Sequence, residues 1–164
     1  SAGGAEDNDY AAREFPLLPA NHFIGSVKEL RVVEHFTLAA LYAIKDYVCV
    51  IPNSNLHQIN INTIAADKPE LLQALLGIPK EDAEQALSAR EEEGFASIDE
   101  FYNLKEISKH KLTDEQKEQF VIDSEYFTLK TTASFNNSYF ALNSIMKVEK
   151  NDQISVISRT IGKD

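Results

Sequence analysis

Three carboxylates open the chemistry of this chain. Glu6, Asp7 and Asp9 lie within four residues on a Gly-led stretch, Gly3-Gly4-Ala5. Hard oxygen donors on a short segment are the kind of group that Ca²⁺ accepts. The spacing is not that of an EF-hand loop, which needs a longer fixed frame of ligands. A solvated acidic loop and a cation site therefore both stand at this point.

The remaining reactive residues do not assemble into a catalytic pattern. His22, His35, His57 and His110 are scattered, with no i, i+4 pair and no shared carboxylate motif, so they read as surface or hydrogen-bonded core histidines. Cys49 is the only cysteine, which excludes an intrachain disulfide and a cysteine metal cluster. Its neighbours Val48 and Val50 predict a buried thiol. No nucleophile, base and orienting group occur at catalytic spacing, and neither a phosphate loop nor a zinc helix is present, so the chain reads as a non-enzyme.

The best-specified elements lie between Ile59 and Phe101. An extended piece, Ile59 to Thr63, precedes a Leu-rich segment, a Gly77-Ile78-Pro79 joint and an Ala/Leu-rich segment. Asp67 with Glu70 predicts a capping box, and Leu71, Leu72, Leu75 and Leu76 form one apolar stripe at helical spacing. Gly77 stands where a helix end needs positive φ, and Pro79 sets the backbone for re-entry. Ala83, Ala86 and Leu87 make a narrow stripe that permits close helix approach. Gly94 is expected to end that helix, and Ser97 with Glu100 to cap a third.

Before the hairpin, Pro16 and Pro19 exclude a regular helix from residues 1–25. Ser26 with Glu29 predicts a capped helix with Val27, Leu30 and Val33 inward, and Thr37 a cap for the next. After the hairpin, residues 102–112 read as a charged connector, and Thr113 with Gln116 caps a short helix ending near Phe120. From Val121 the period changes to two. Strands are predicted around Tyr126 to Thr132, Ser138 to Glu149 and Ile154 to Ile161, with turns at Asn136-Asn137 and Lys150-Asn151-Asp152. Phe140, Leu142 and Ile145 are candidate core residues. Three such strands form an antiparallel meander, which needs cover on one face. No long apolar helix is left over to supply it, so part of that cover is expected outside this chain.

Composition sets the outer limits. The 164 residues are 43% hydrophobic, enough for one or two small globular domains. No apolar run reaches membrane-spanning length, and no signal peptide opens the chain, which reads as soluble as given. The start at Ser1, without Met, suggests a fragment or processed product. A net charge of −10 opposes phosphate backbones.

Two resemblances follow from these pieces. The hairpin resembles a helix-hairpin-helix module, which in many proteins grips a DNA phosphate with backbone amides of its joint. Here Pro79 removes one donor, and Lys80 and Arg90 face Glu81, Asp82, Glu84 and Glu91 to Glu93. A nucleic-acid-binding protein is thus the alternative reading, with its phosphate chemistry missing.

A wider resemblance covers nearly the whole chain. Its pieces are Gly4-Ala5-Glu6-Asp7-x-x-Tyr10, then Asn21 and Ser26-Val27-x-Glu29-Leu30, then Tyr47-Val48-Cys49-Val50-Ile51-Pro52, then Ile61-Asn62-Thr63, then Ser124-x-Tyr126-Phe127-x-Leu129. In this order they resemble the K-type minor pseudopilin of bacterial type II secretion systems, the first being similar to that family's acidic motif. Ile64 departs from the small residue usual there.

The resemblance implies an α+β fold, in which a helical helix-hairpin-helix or SAM-like domain is inserted in a pilin-like domain with a C-terminal antiparallel β-sheet. Residues 1–22 would be the acidic loop region of the pilin-like domain, 23–122 the helical insertion with two hairpins, and 123–164 the β-meander. It implies a structural subunit at the pseudopilus tip that helps start assembly, in complex with the I and J minor pseudopilins. Contact with secreted cargo is a further option, and a nucleic-acid partner is not implied. The chain would be the periplasmic part of a subunit anchored in the inner membrane by an N-terminal helix outside this sequence. The family's calcium binding points to Glu6 and Asp7 as metal ligands, with Asp9, which matches no motif position, as a weaker third.

Overall fold

The computed structural model describes residues 4–19, 21–149 and 153–162, and the chain divides into two compact units, Ser1–Leu56 and His57–Asp164.

The first unit holds α1 (Asp7–Ala11), a 3-10 helix over Val27–Val32, and α2 (Leu38–Ile44). α1 overturns the expectation of no regular helix in residues 1–25, because Pro16 and Pro19 bar helix only at and just before their own positions. Thr37 caps α2 as expected, its hydroxyl accepting the Ala40 N–H at 3.1 Å. The Ser26 box does not form. Glu29 turns back instead to accept the Gly25 N–H with both carboxylate oxygens at 3.1 Å, and the tighter 3-10 turn replaces an α-helix. Val27 and Leu30 are half-buried, whereas Val33 is exposed. Among the described residues of this unit only Leu41 is buried. Cys49 is exposed, contrary to the expectation of a buried thiol. The stretch around it is neither helix nor strand, so its alternating valines have no sheet to face, and Val48 is exposed as well.

In the second unit, β1 (Ile59–Asn60) runs into a 3-10 turn over Ile61–Thr63, followed by α3 (Glu70–Leu76) and α4 (Lys80–Ser88). Then come α5 (Ile98–Asn103), α6 (Lys105–Ser108) and α7 (Asp114–Glu118), ending at β2 (Phe120–Val121). β2 pairs in parallel with β1, so the helices are closed at both ends by one two-stranded ladder. That pairing was not legible in two-residue strands.

Capping explains most of these boundaries. Gly77 ends α3 at φ 67°, the left-handed conformation for which glycine is suited. Pro79 precedes α4 with φ −59°. Thr113 and Gln116 form the expected box on α7. At α5 the Ser97 hydroxyl accepts the Glu100 N–H at 3.2 Å, while Glu100 reaches one residue further back, to the Ala96 N–H at 2.8 Å. Two expectations fail. Asp67 lies outside α3, whose first turn is set by Pro69, and Glu70 is drawn to Lys80 rather than into a box. Nor does Gly94 end α4, which stops at Ser88; Gly94 serves a separate turn at φ 83°.

The core of this unit joins Ile61, Leu72, Leu76, Ile78, Ala83, Ala86, Leu87, Phe95, Phe101, Ile107 and Phe120. Phe101 is fully buried, with ring centroids of Tyr102, Phe95 and Phe120 at 5.2, 5.7 and 6.0 Å, all tilted. Such tilted contacts add about 0.5–1.5 kcal/mol each beyond area burial. Ile107 buries itself from the stretch read as a connector, and this requires the short α6.

The chain ends in a β3-β4-β5 sheet, with β3 at Tyr126–Phe135, β4 at Ser138–Val148 and β5 at Ile154–Ile161. Both pairings are antiparallel, as expected. The turn expected at 150–152 lies outside the described residues. A bulge beside Ile145/Met146 shifts the β5 register. Phe127, Leu129 and Phe135 share one face with Phe140, Leu142 and Met146 of β4 and Val156 and Ile161 of β5. Thr128, Lys130, Thr132 and Ser134 point to the other. The apolar face is open among the described residues, and Phe140, expected in a core, is 47% exposed.

Candidate functional site

Residues 6–9 form the first turn of a five-residue helix. Glu6 is its N-cap residue and Asp7 and Asp9 sit in the first turn, where acid complements the unpaired amides. The Asp9 carboxylate accepts the Glu6 N–H at 2.8 Å. All three side chains are exposed, and among the described residues no group of three or more His, Cys, Asp or Glu is gathered to hold a metal ion. The turn as it stands is a capping box, with the Glu6 carboxylate accepting the Asp9 N–H and the Asp9 carboxylate the Glu6 N–H.

A contact set with little local sequence signal forms at the end of this helix and just beyond it. Tyr10 and Arg13, three residues apart, face Glu34. The Arg13 guanidinium lies 4.2 Å over the Tyr10 ring, donates to the Val32 carbonyl at 3.0 Å and pairs with the Glu34 carboxylate. The Tyr10 hydroxyl accepts the Glu34 N–H at 3.1 Å. The i, i+3 spacing of an aromatic and an arginine was the available signal, but the distant Glu34 was not.

At the hairpin joint, Gly77 donates its N–H to the Gln73 carbonyl at 3.0 Å and Pro79 has none to give. Lys80, the nearest cation, has its ammonium 2.9 Å from Glu70 and 3.9 Å from Glu84. The hydrogen bond from Lys80 is the main reason that the Glu70 carboxyl lies below its ordinary range. Gln116 reaches across to the end of α3, donating to the Leu76 carbonyl at 3.1 Å and satisfying an acceptor that the helix leaves open. The joint thus lacks one amide donor at Pro79, and its nearest cation, Lys80, is paired within the hairpin.

A second ionic cluster ties α4 to the end of α6. Asp82, only 7% exposed, accepts from the Lys109 ammonium at 2.6 Å and meets His110 Nε2 at 2.8 Å. The Lys109 bond first and the His110 bond second hold the Asp82 carboxyl below its ordinary range, against the opposing effect of desolvation. His110 is therefore a paired core-edge histidine, as one of the two sequence alternatives had it. On α5, burial pushes the Tyr102 phenol up to about 12, and its hydroxyl donates to the Lys117 carbonyl at 2.6 Å. These groups clasp helices together. Their chemistry is structural.

Such clasps hold the helices of the second unit together. The family described as Type II secretion system (T2SS), protein K matches residues 59–123, and a companion family of the same description matches residues 1–53. Together they take in more than two thirds of the sequence. The chain belongs to the type II secretion system protein K family. Protein K of Aeromonas hydrophila is 31% identical over 99% of this chain and 49% of its own length. Protein K of Klebsiella pneumoniae is 28% identical over 97% of this chain and 48% of its own. The chain spans about half the length of these relatives. Among solved structures, a chain of the GspK-GspI-GspJ complex from enterotoxigenic Escherichia coli superposes with a TM-score of 0.84 at 27% identity, covering 100% of this chain and 57% of that one. Mixed helix and strand with a three-stranded antiparallel sheet is thus the architecture of a protein K.

Proposed function

We propose that this chain is the periplasmic part of a minor pseudopilin that sits at the tip of the type II secretion pseudopilus, binds the I- and J-type minor pseudopilins there, and helps start assembly. The observation that carries the proposal is the superposition, over the full length of this chain, on a member of the GspK-GspI-GspJ complex. The role is structural rather than enzymatic, which accords with side chains spent on clasping helices. Among the described residues no helix is long and apolar enough to cross a membrane, so an inner-membrane anchor would belong to a part of the protein outside this chain.

The finer fold belongs to the same proposal: a helix-hairpin-helix insertion at 23–122, within a pilin-like domain to which 1–22 and 123–164 contribute. The open face of the β3-β4-β5 sheet supports it. Three strands at about 4.8 Å spacing make a strip about 10 Å wide, the width of one packed helix. A sheet with one apolar face needs such a cover to be stable.

Calcium at the acidic turn is the remaining component. Glu6 and Asp7 would be the ligands, with Asp9 a weaker third; Glu6 and Asp9 would each have to share or leave its capping-box bond to a backbone N–H. Ca²⁺ takes six to eight oxygens, so further ligands must come from beyond this turn. Co-purification with I- and J-type subunits, in Ca²⁺ and in EDTA, tests the partner and the metal components separately.

A further inference from the structure

We draw no further inference here: the strongest candidate, the groove between α5, α6 and α7 floored by Ile107, Leu112 and Phe120, carries Lys111 and Lys117 beside Asp99 and Glu118 on its rim, and charges of both signs single out no ligand.

Discussion

Asn62 and Phe95 exchange two hydrogen bonds across 33 residues of sequence: the Asn62 side-chain oxygen accepts the Phe95 N–H at 2.8 Å, and its amide nitrogen donates to the Phe95 carbonyl at 3.1 Å. The same nitrogen lies 3.3 Å from the Ile122 carbonyl. One amide therefore pins the turn before α5 and the chain leaving β2. Arg90 works beside it, donating to the Ile61 and Ile64 carbonyls at 2.9 and 2.8 Å.

Removing this link should be felt by the whole second unit. Asn62→Ala leaves the half-buried backbone groups at Phe95 unpaired, for an expected loss of about 1–3 kcal/mol. Gly94→Ala should also destabilise. At φ 83° a side chain costs roughly 1–2 kcal/mol, and its Cβ would stand 2.7 Å from the Asn62 side chain. Urea unfolding of each variant checks this, and midpoints equal to the parent's would contradict it.

Acid should weaken the α4–α6 clasp. The folded Asp82 carboxyl is held below the ordinary Asp value of about 3.9. Its contribution is therefore present above that value and lost as pH falls through the lower, folded one. We expect stability to drop below about pH 4, and Asp82→Asn to be less stable at neutral pH with a smaller acid-dependent loss. Thermal melts from pH 2 to 7 provide the comparison. Parallel curves for parent and variant would mean that Asp82 has no part in the acid response.

The hairpin should ignore nucleic acid. With Pro79 lacking an N–H and Lys80 held by Glu70 and Glu84, we expect no retardation of duplex DNA at about 50 mM salt, where nonspecific binders are strong. Lys80→Glu should then change nothing in the gel. Retardation that disappears at about 200 mM salt and in Lys80→Glu would assign the hairpin a phosphate-binding role.

Calcium binding at Glu6 and Asp7 is expected to raise the melting temperature, with EDTA reversing the rise and Asp7→Asn reducing it. An ion present at about 100 times its Kd adds about 2.7 kcal/mol to the folded state. Coincident melting curves in Ca²⁺ and EDTA would remove the metal from the proposal and leave the turn as a helix cap.

The sequence carried the local grammar well. Gly77, Thr37, the Thr113–Gln116 box and the three antiparallel strands sit where their residue types demand, because each depends on neighbours within a few positions. Long-range choices were hidden. Glu70 had a distant partner in Lys80 that outcompeted its local box; Glu29, by contrast, chose between two local amides and took Gly25 over Ser26. The Asn62–Phe95 link and the β1–β2 pairing join residues too far apart for any periodicity to expose. Cys49 misled because alternating valines imply burial only where a sheet exists to bury them. At the acidic turn, the carboxylates were plain, but the commitment of Asp9 to the Glu6 N–H depends on a helix that starts between them.

The most direct test is to mix this chain with purified soluble parts of the I- and J-type subunits from the same system and measure mass by light scattering during size-exclusion chromatography. We expect a single species with the summed mass of one copy of each. Elution of this chain alone at 18.4 kDa, beside an unaltered I–J pair, would contradict a place for it at the pseudopilus tip.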